Sequence, residues 1–196
     1  MKTFLLPVVA ALILLTAVPI HAAPPVQTLR SDADIKALMG AQRWEAAIAA
    51  ARDRIAADPK EPEPHVLAGT AMFLKARAAA APGATPTIAA ATADAIAKEL
   101  ETAIQLAPQR KDVYLGLIDT ETAAGRDDRV LEQVKRSAGQ FPADAKMVRS
   151  LLEYGIERQG RKDPLAGPIF QAVYQANPRQ PAAVVAYASH VLSTGE

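Results

Sequence analysis

The chain has 196 residues, half of them hydrophobic but only 5% aromatic, with 22 basic against 21 acidic side chains and no cysteine. That composition excludes disulfides, thiolate nucleophiles, cysteine metal sites and a lipid-modified cysteine. The even charge, with no long block of one sign, leaves out the concentrated basic face that nucleic acid or an anionic lipid surface requires.

The first predicted element is an export segment. Lys2 supplies one positive charge, an apolar run extends from Phe4 to Ile20, and small residues follow through Ala23. This is the layout of a secretory signal peptide. The run is interrupted by Pro7 and Pro19 and is short for a bilayer span, which needs about 20 residues. Cleavage after Ala22 or Ala23 is therefore expected. Removal of residues 1–23 would leave a body of residues 24–196, exported to the periplasm or beyond, with no membrane insertion.

That body is rich in alanine, the best helix former, and reads as all-α. Its prolines fall mostly between helical stretches, where proline begins or ends a helix. Helices are expected near 32–39, 43–57, 63–80, 87–106, 111–124, 127–140, 144–159, 164–176 and 181–194. Asp144 and Asp163 are candidate N-caps, and Pro64, Pro164 and Pro181 suit first helical turns. Residues 78–93 are low in complexity and rich in alanine and proline, and read as an insertion between two helical patterns.

The breaks recur. Asp58-Pro59, Ala107-Pro108, Phe141-Pro142 and Asn177-Pro178 place prolines 49, 34 and 36 residues apart. The long first step accommodates the insertion. Gly125, Gly160 and Gly195 form a second comb at intervals of 35 residues, each at the expected end of a first helix, where glycine suits a left-handed cap. Repeats near 34 residues point to stacked helix pairs, because one pair cannot bury its own apolar face.

The residues at these breaks resemble the tetratricopeptide-repeat family. Arg43-Trp44-Glu45-Ala46-Ala47-Ile48 is similar to the opening of that family's second helix, and Ile55-Ala56-Ala57-Asp58-Pro59 to its close. Leu100, Ala103, Ile104, Leu106 and Pro108 repeat the close, and Ala166, Phe170, Val173, Asn177 and Pro178 fall on matching positions of the fourth unit. The third unit departs at Ile118, where the family prefers glycine or alanine, at Glu121, where it prefers a large apolar residue, and at Val130, Val134 and Ser137. The resemblance implies a right-handed α-α superhelix of about four helix pairs plus a terminal helix. It also implies that Trp44, Tyr114 and Phe170 sit in packing between helices.

No His-Glu-x-x-His, Gly-x-Ser-x-Gly or Gly-x-x-x-x-Gly-Lys-Ser/Thr motif occurs, so no catalytic residue, metal or cofactor is expected. His65 is expected to be a partly exposed histidine near a helix start. Asp32, Asp34, Asp127 and Asp128 are expected at helix starts, where they favour the macrodipole. The resemblance implies instead a protein or peptide partner, held in a concave groove lined by the first helix of each pair. By position, Asp112, Leu115, Asp119 and Thr122 would face that groove, with Arg149, Glu153 and His190 as neighbours. The expected role is a non-catalytic adaptor or assembly factor for an envelope complex. The alternative is an accessory domain that binds envelope polysaccharide or peptidoglycan, against which the scarcity of aromatic residues counts.

Overall fold

The computed structural model describes residues 30–80 and 87–195; the export segment and residues 81–86 of the insertion lie outside them. Among the described residues there are nine helices and no strand: α1 (Asp32–Gly40), α2 (Trp44–Ala57), α3 (Pro62–Ala78), α4 (Ala90–Leu106), α5 (Lys111–Ala123), α6 (Asp127–Gln140), α7 (Ala145–Gly160), α8 (Ala166–Ala176) and α9 (Pro181–Thr194). The odd-numbered members α1, α3, α5 and α7 are the first helices of four antiparallel pairs. Each pair packs on the next, and α9, the last of the described helices, packs on α7 and α8.

The proline comb has a structural cause. At the end of every second helix, the carbonyl of the residue before proline accepts from the N–H three residues on: Asp58 from Glu61 (3.3 Å), Ala107 from Arg110 (3.1 Å), Phe141 from Asp144 (3.2 Å) and Asn177 from Gln180 (3.1 Å). Proline thus occupies the second position of the same turn four times, where its fixed φ favours the turn and its missing N–H is not needed.

The glycine comb mixes two positions of another turn. At the ends of α1, α5 and α7 the chain makes the same double closure. Arg43, Arg126 and Asp163 donate back to the carbonyls of Leu38 (2.9 Å), Glu121 (3.0 Å) and Arg158 (3.0 Å). Gln42, Gly125 and Lys162 donate to those of Met39, Thr122 and Gln159. This is the Schellman closure. Its left-handed residue is Gln42 (φ 57°), Gly125 (φ 67°) and Lys162 (φ 57°) in turn. Gly160 is the last residue of α7 and has no positive φ, so it does not play the part expected of it. A non-glycine residue can hold that position at roughly 1–2 kcal/mol, which is why glycine spacing alone misses two of the three turns.

Helix starts also follow from local chemistry. Ser31 and Asp34 form a reciprocal capping box on α1, and Asp144 accepts from the Met147 N–H at 2.9 Å to cap α7. Asp32, Asp34, Asp127 and Asp128 lie in first turns, as expected. Asp163, by contrast, caps no helix. Its Oδ1 accepts from the Leu165 N–H at 2.9 Å in a turn, and α8 starts only at Ala166. The start of α4 is later than expected as well, because Ile88 donates its N–H to the Ala123 carbonyl (2.8 Å) and buries its side chain.

The core is continuous through α3. One cluster joins Ile35, Leu38, Ala47, Ile48 and Ala51 to Leu67, Ala68 and Ala71 of α3. The other runs from Val66 to Ala183, and Met72 packs against both. Close helix approach relies on small residues. A Cβ on Gly69 would lie 2.9 Å from Leu100 Cδ2, and one on Gly116 would lie 3.5 Å from Leu100 Cδ1. Leu100 of α4 therefore sits against glycine on both α3 and α5, and Gly116, not Ile118, gives the third unit its small contact. Tyr114 and Phe170 are buried as expected; Trp44 is half-buried at the first turn of α2.

Candidate binding groove on the first helices

The first helices α3, α5 and α7 lie side by side and wall a depression of about 250 Å³, which takes Phe73 and Arg77 from α3, Asp119 and Thr122 from α5, and Tyr154 and Glu157 from α7. Arg158 and Arg161 complete it. The volume is below the roughly 300–1,000 Å³ of small-molecule sites; it suits a side chain better than a free cofactor.

A chain of hydrogen bonds crosses the floor from α7 to α5. Arg158 donates to the Tyr154 hydroxyl from Nη2 (2.6 Å) and Nε (3.1 Å). Tyr154 meets Thr122 Oγ1, which in turn donates to the Ile118 carbonyl at 2.7 Å. Each donor polarises the next, so the string is stiffer than its separate bonds. Burial pushes the Tyr154 hydroxyl above the ordinary tyrosine range, against the pull of Thr122 and Arg158, so it stays a neutral donor and acceptor. Arg158 is itself only 9% exposed. It is held by Asp163 Oδ2 at 2.6 Å and Asp127 Oδ1 at 3.2 Å.

Asp119 is different. Its side chain opens to the groove, and among the described residues it has no hydrogen bond and no ion pair. Surrounding protein pushes its carboxyl above the ordinary range, Arg77 opposes that shift and Glu157 adds to it.

No protein-family model and no curated protein matches the sequence. Among solved structures the chain is similar to a thermophilic tetratricopeptide-repeat protein of Thermus thermophilus, with a TM-score of 0.51 over 81% of this chain and 78% of that one. The fold is a tetratricopeptide-repeat fold. At 16% identity the likeness extends to the fold alone.

The repeat departs from its expected pattern at one instructive place. Leu38, Glu121 and Arg158 occupy equivalent positions, as the residues whose carbonyls close the three Schellman turns. That position usually makes an apolar contact with the residue beyond the turn. Here Glu121, 3% exposed, pairs with Arg126 at 3.4 Å, and Arg158 pairs with Asp163 at 2.6 Å. The same contact is made by ion pairs of opposite polarity in consecutive repeats.

Of the seven residues expected to face the groove, the structure brings only Asp119 and Thr122 into this depression. Asp112 lies at the start of α5, where Arg110 chelates it (3.0 and 2.5 Å) and its hydrogen bonds hold the carboxyl below the usual range. Leu115 is half-buried against the core. Arg149 and Glu153 line a second, more apolar depression of about 680 Å³ between α7 and α9, together with Leu152, Ile156 and Val185. His190 does not project into any groove: it is 7% exposed, its ring is 5.3 Å from that of Phe170, and it rests where Gly167 has no side chain. His65 is likewise buried, 6% exposed, with Nδ1 at 2.7 Å from Glu99 and Nε2 at 3.3 Å from the Pro59 carbonyl. It braces α3 against α4 and does not face solvent.

Phe73, Arg77, Tyr154 and Arg158 are groove residues that the sequence did not single out. The helix lengths hid them: α7 has 16 residues and α5 has 13, so a register carried forward from the helix start slips by nearly a turn at the far end. The Tyr154–Arg158 spacing of four is one signal available in the sequence, since it places a ring and a guanidinium on one face.

Proposed function

We propose that this chain is an exported, non-catalytic interaction module that holds a segment of a partner protein in the groove of its first helices, as an adaptor or assembly factor of a bacterial envelope complex. The repeat fold is that of a protein-interaction module, and the observation that carries the reading is the convergence of Arg77, Asp119 and Tyr154 from three successive first helices on one depression. Export rests on the charge, apolar run and small residues of positions 1–23. Glycan binding, the other reading, draws on open aromatic faces. In the groove the Arg77 guanidinium lies 5.6 Å over the Phe73 ring and that of Arg158 is 5.1 Å from the Tyr154 ring centre.

Site-specific photo-crosslinking tests the proposal. A benzophenone side chain at position 157, exposed on the rim of the depression and outside the hydrogen-bond string, is expected to capture one partner in cells, and the same group at Lys135 on α6 is not. Protein recovered from the envelope fraction is expected to begin at Ala23 or Pro24. Equal capture at both positions, or a cytoplasmic protein that keeps Met1, contradicts the reading.

A further inference from the structure

The flank of α7 turned away from the Tyr154–Arg158 string is built differently. With α9 it walls the second depression, of about 680 Å³. Val148, Arg149, Leu152, Glu153, Ile156 and Gln159 line it from α7. Their spacing of three and four residues marks one continuous helical stripe, roughly 16 Å long at about 1.5 Å per residue. Ile156 on one wall and Val185 on the other remain 57% and 63% exposed, so both gain by being covered.

The charges on this stripe follow a simple pattern. Arg149 and Glu153 are the charged residues that line the depression, and α9 contains no Asp, Glu, Lys or Arg. Both side chains are exposed, and neither makes an ion pair among the described residues. Their order explains why they do not pair with each other. At i,i+4 an acid N-terminal to a base is the favourable arrangement, and the reverse is not. Glu157 and Arg161, one turn further on, have the favourable order and pair at 2.5 Å.

An apolar stripe with one positive and one negative charge a turn apart is complementary to itself turned end for end. A two-fold axis crossing α7 between positions 149 and 153 brings Arg149 of one copy to Glu153 of the other, and Glu153 to Arg149. That reciprocity is what an isologous contact requires. Parallel stripes would instead set arginine against arginine and glutamate against glutamate.

We propose that the α7–α9 face is a self-association surface, on which a second copy of this chain docks with its α7 antiparallel to the first. The contact matches both charges at once and covers Ile156 and Val185 of each copy. It is independent of what the depression of α3, α5 and α7 holds. Tyr154 and Arg158 reach that depression from the other flank of α7, so the two surfaces use different faces of one helix.

Sedimentation equilibrium of the purified protein tests the proposal. A reversible equilibrium between monomer and dimer is expected. Arg149→Glu and Glu153→Arg should each weaken the dimer at least about tenfold, because both pairs across the axis become like-charged. An equimolar mixture of the two variants should dimerise again, since one stripe is then wholly acidic and the other wholly basic. The double variant Arg149→Glu/Glu153→Arg should dimerise as the wild type does. Both side chains are exposed, so circular dichroism melts of the dilute variants should match the wild type. A wild type still monomeric at about 1 mM, or one that grows into longer assemblies, overturns the proposal. Single variants that dimerise unchanged, or a mixture that stays monomeric, overturn it as well.

Discussion

Phe170→Ala is expected to destabilise the protein by about 3–5 kcal/mol, the usual range for a fully buried aromatic residue, and to lower the melting temperature by roughly 6–20 °C. Phe170 is 1% exposed and heads the fully buried side chains by volume. Its ring carries three contacts at once: the bare backbone of Gly155 on α7, where a Cβ would stand 2.8 Å from Cε1, the His190 ring on α9, and the core around Ile169 and Val173. Stability in stacked repeats is close to a sum over neighbouring pairs. The loss should therefore concentrate in α7–α9. Circular dichroism melts give the total, and limited proteolysis gives the location: early cuts are expected after residue 144, with α1–α3 intact. Uniform cleavage along the chain would show a single closed unit rather than a stack.

Arg158→Ala is expected to cost about 2 kcal/mol. Breaking a fully buried pair costs roughly 3–5 kcal/mol, and the lower figure applies here because Asp163 and Asp127 retain 22% and 58% side-chain exposure and can turn to water. The loss includes the anchor of the Tyr154–Thr122 string, so α5 and α7 loosen against each other. Arg158→Leu makes the sharper test. Leucine is the residue that this position carries, buried in the core, as Leu38 of the first pair, and apolar replacement of buried ion pairs is often neutral or better. The leucine variant should melt above the alanine variant by an amount equivalent to about 1–2 kcal/mol. A leucine variant no more stable than alanine would mean that the guanidinium's hydrogen bonds, not its packing, hold the position.

Fold and groove are not equally legible in the sequence. The four proline junctions are legible because each is a local event: one residue fixes φ and lacks a donor at one turn position. Helix ends set by such events agree with the sequence within two residues. The role of Asp163 is not legible because the same side chain serves a local turn at Leu165 as readily as a helix start, and the start of α4 is not legible because a contact made elsewhere, at Ala123, decides it. The two histidines escape for the same reason, since a ring near a helix end is exposed or buried according to what the next helix brings, here Glu99 and Phe170. In the groove, Asp119 and Thr122 can be placed by position, but Arg77 and Glu157 cannot. Unequal helices shift the register, and a buried charge at an apolar position is legible only once its ion pair is seen.

The central claim is that the first helices, and not the second, form the binding face. Amide hydrogen exchange along the chain, with and without the partner captured by photo-crosslinking, measures this directly. Added protection is predicted in the C-terminal turns of α3, α5 and α7, around Arg77, Asp119 and Glu157. Protection confined to α4, α6 and α8 would place the partner on the opposite face and contradict the account.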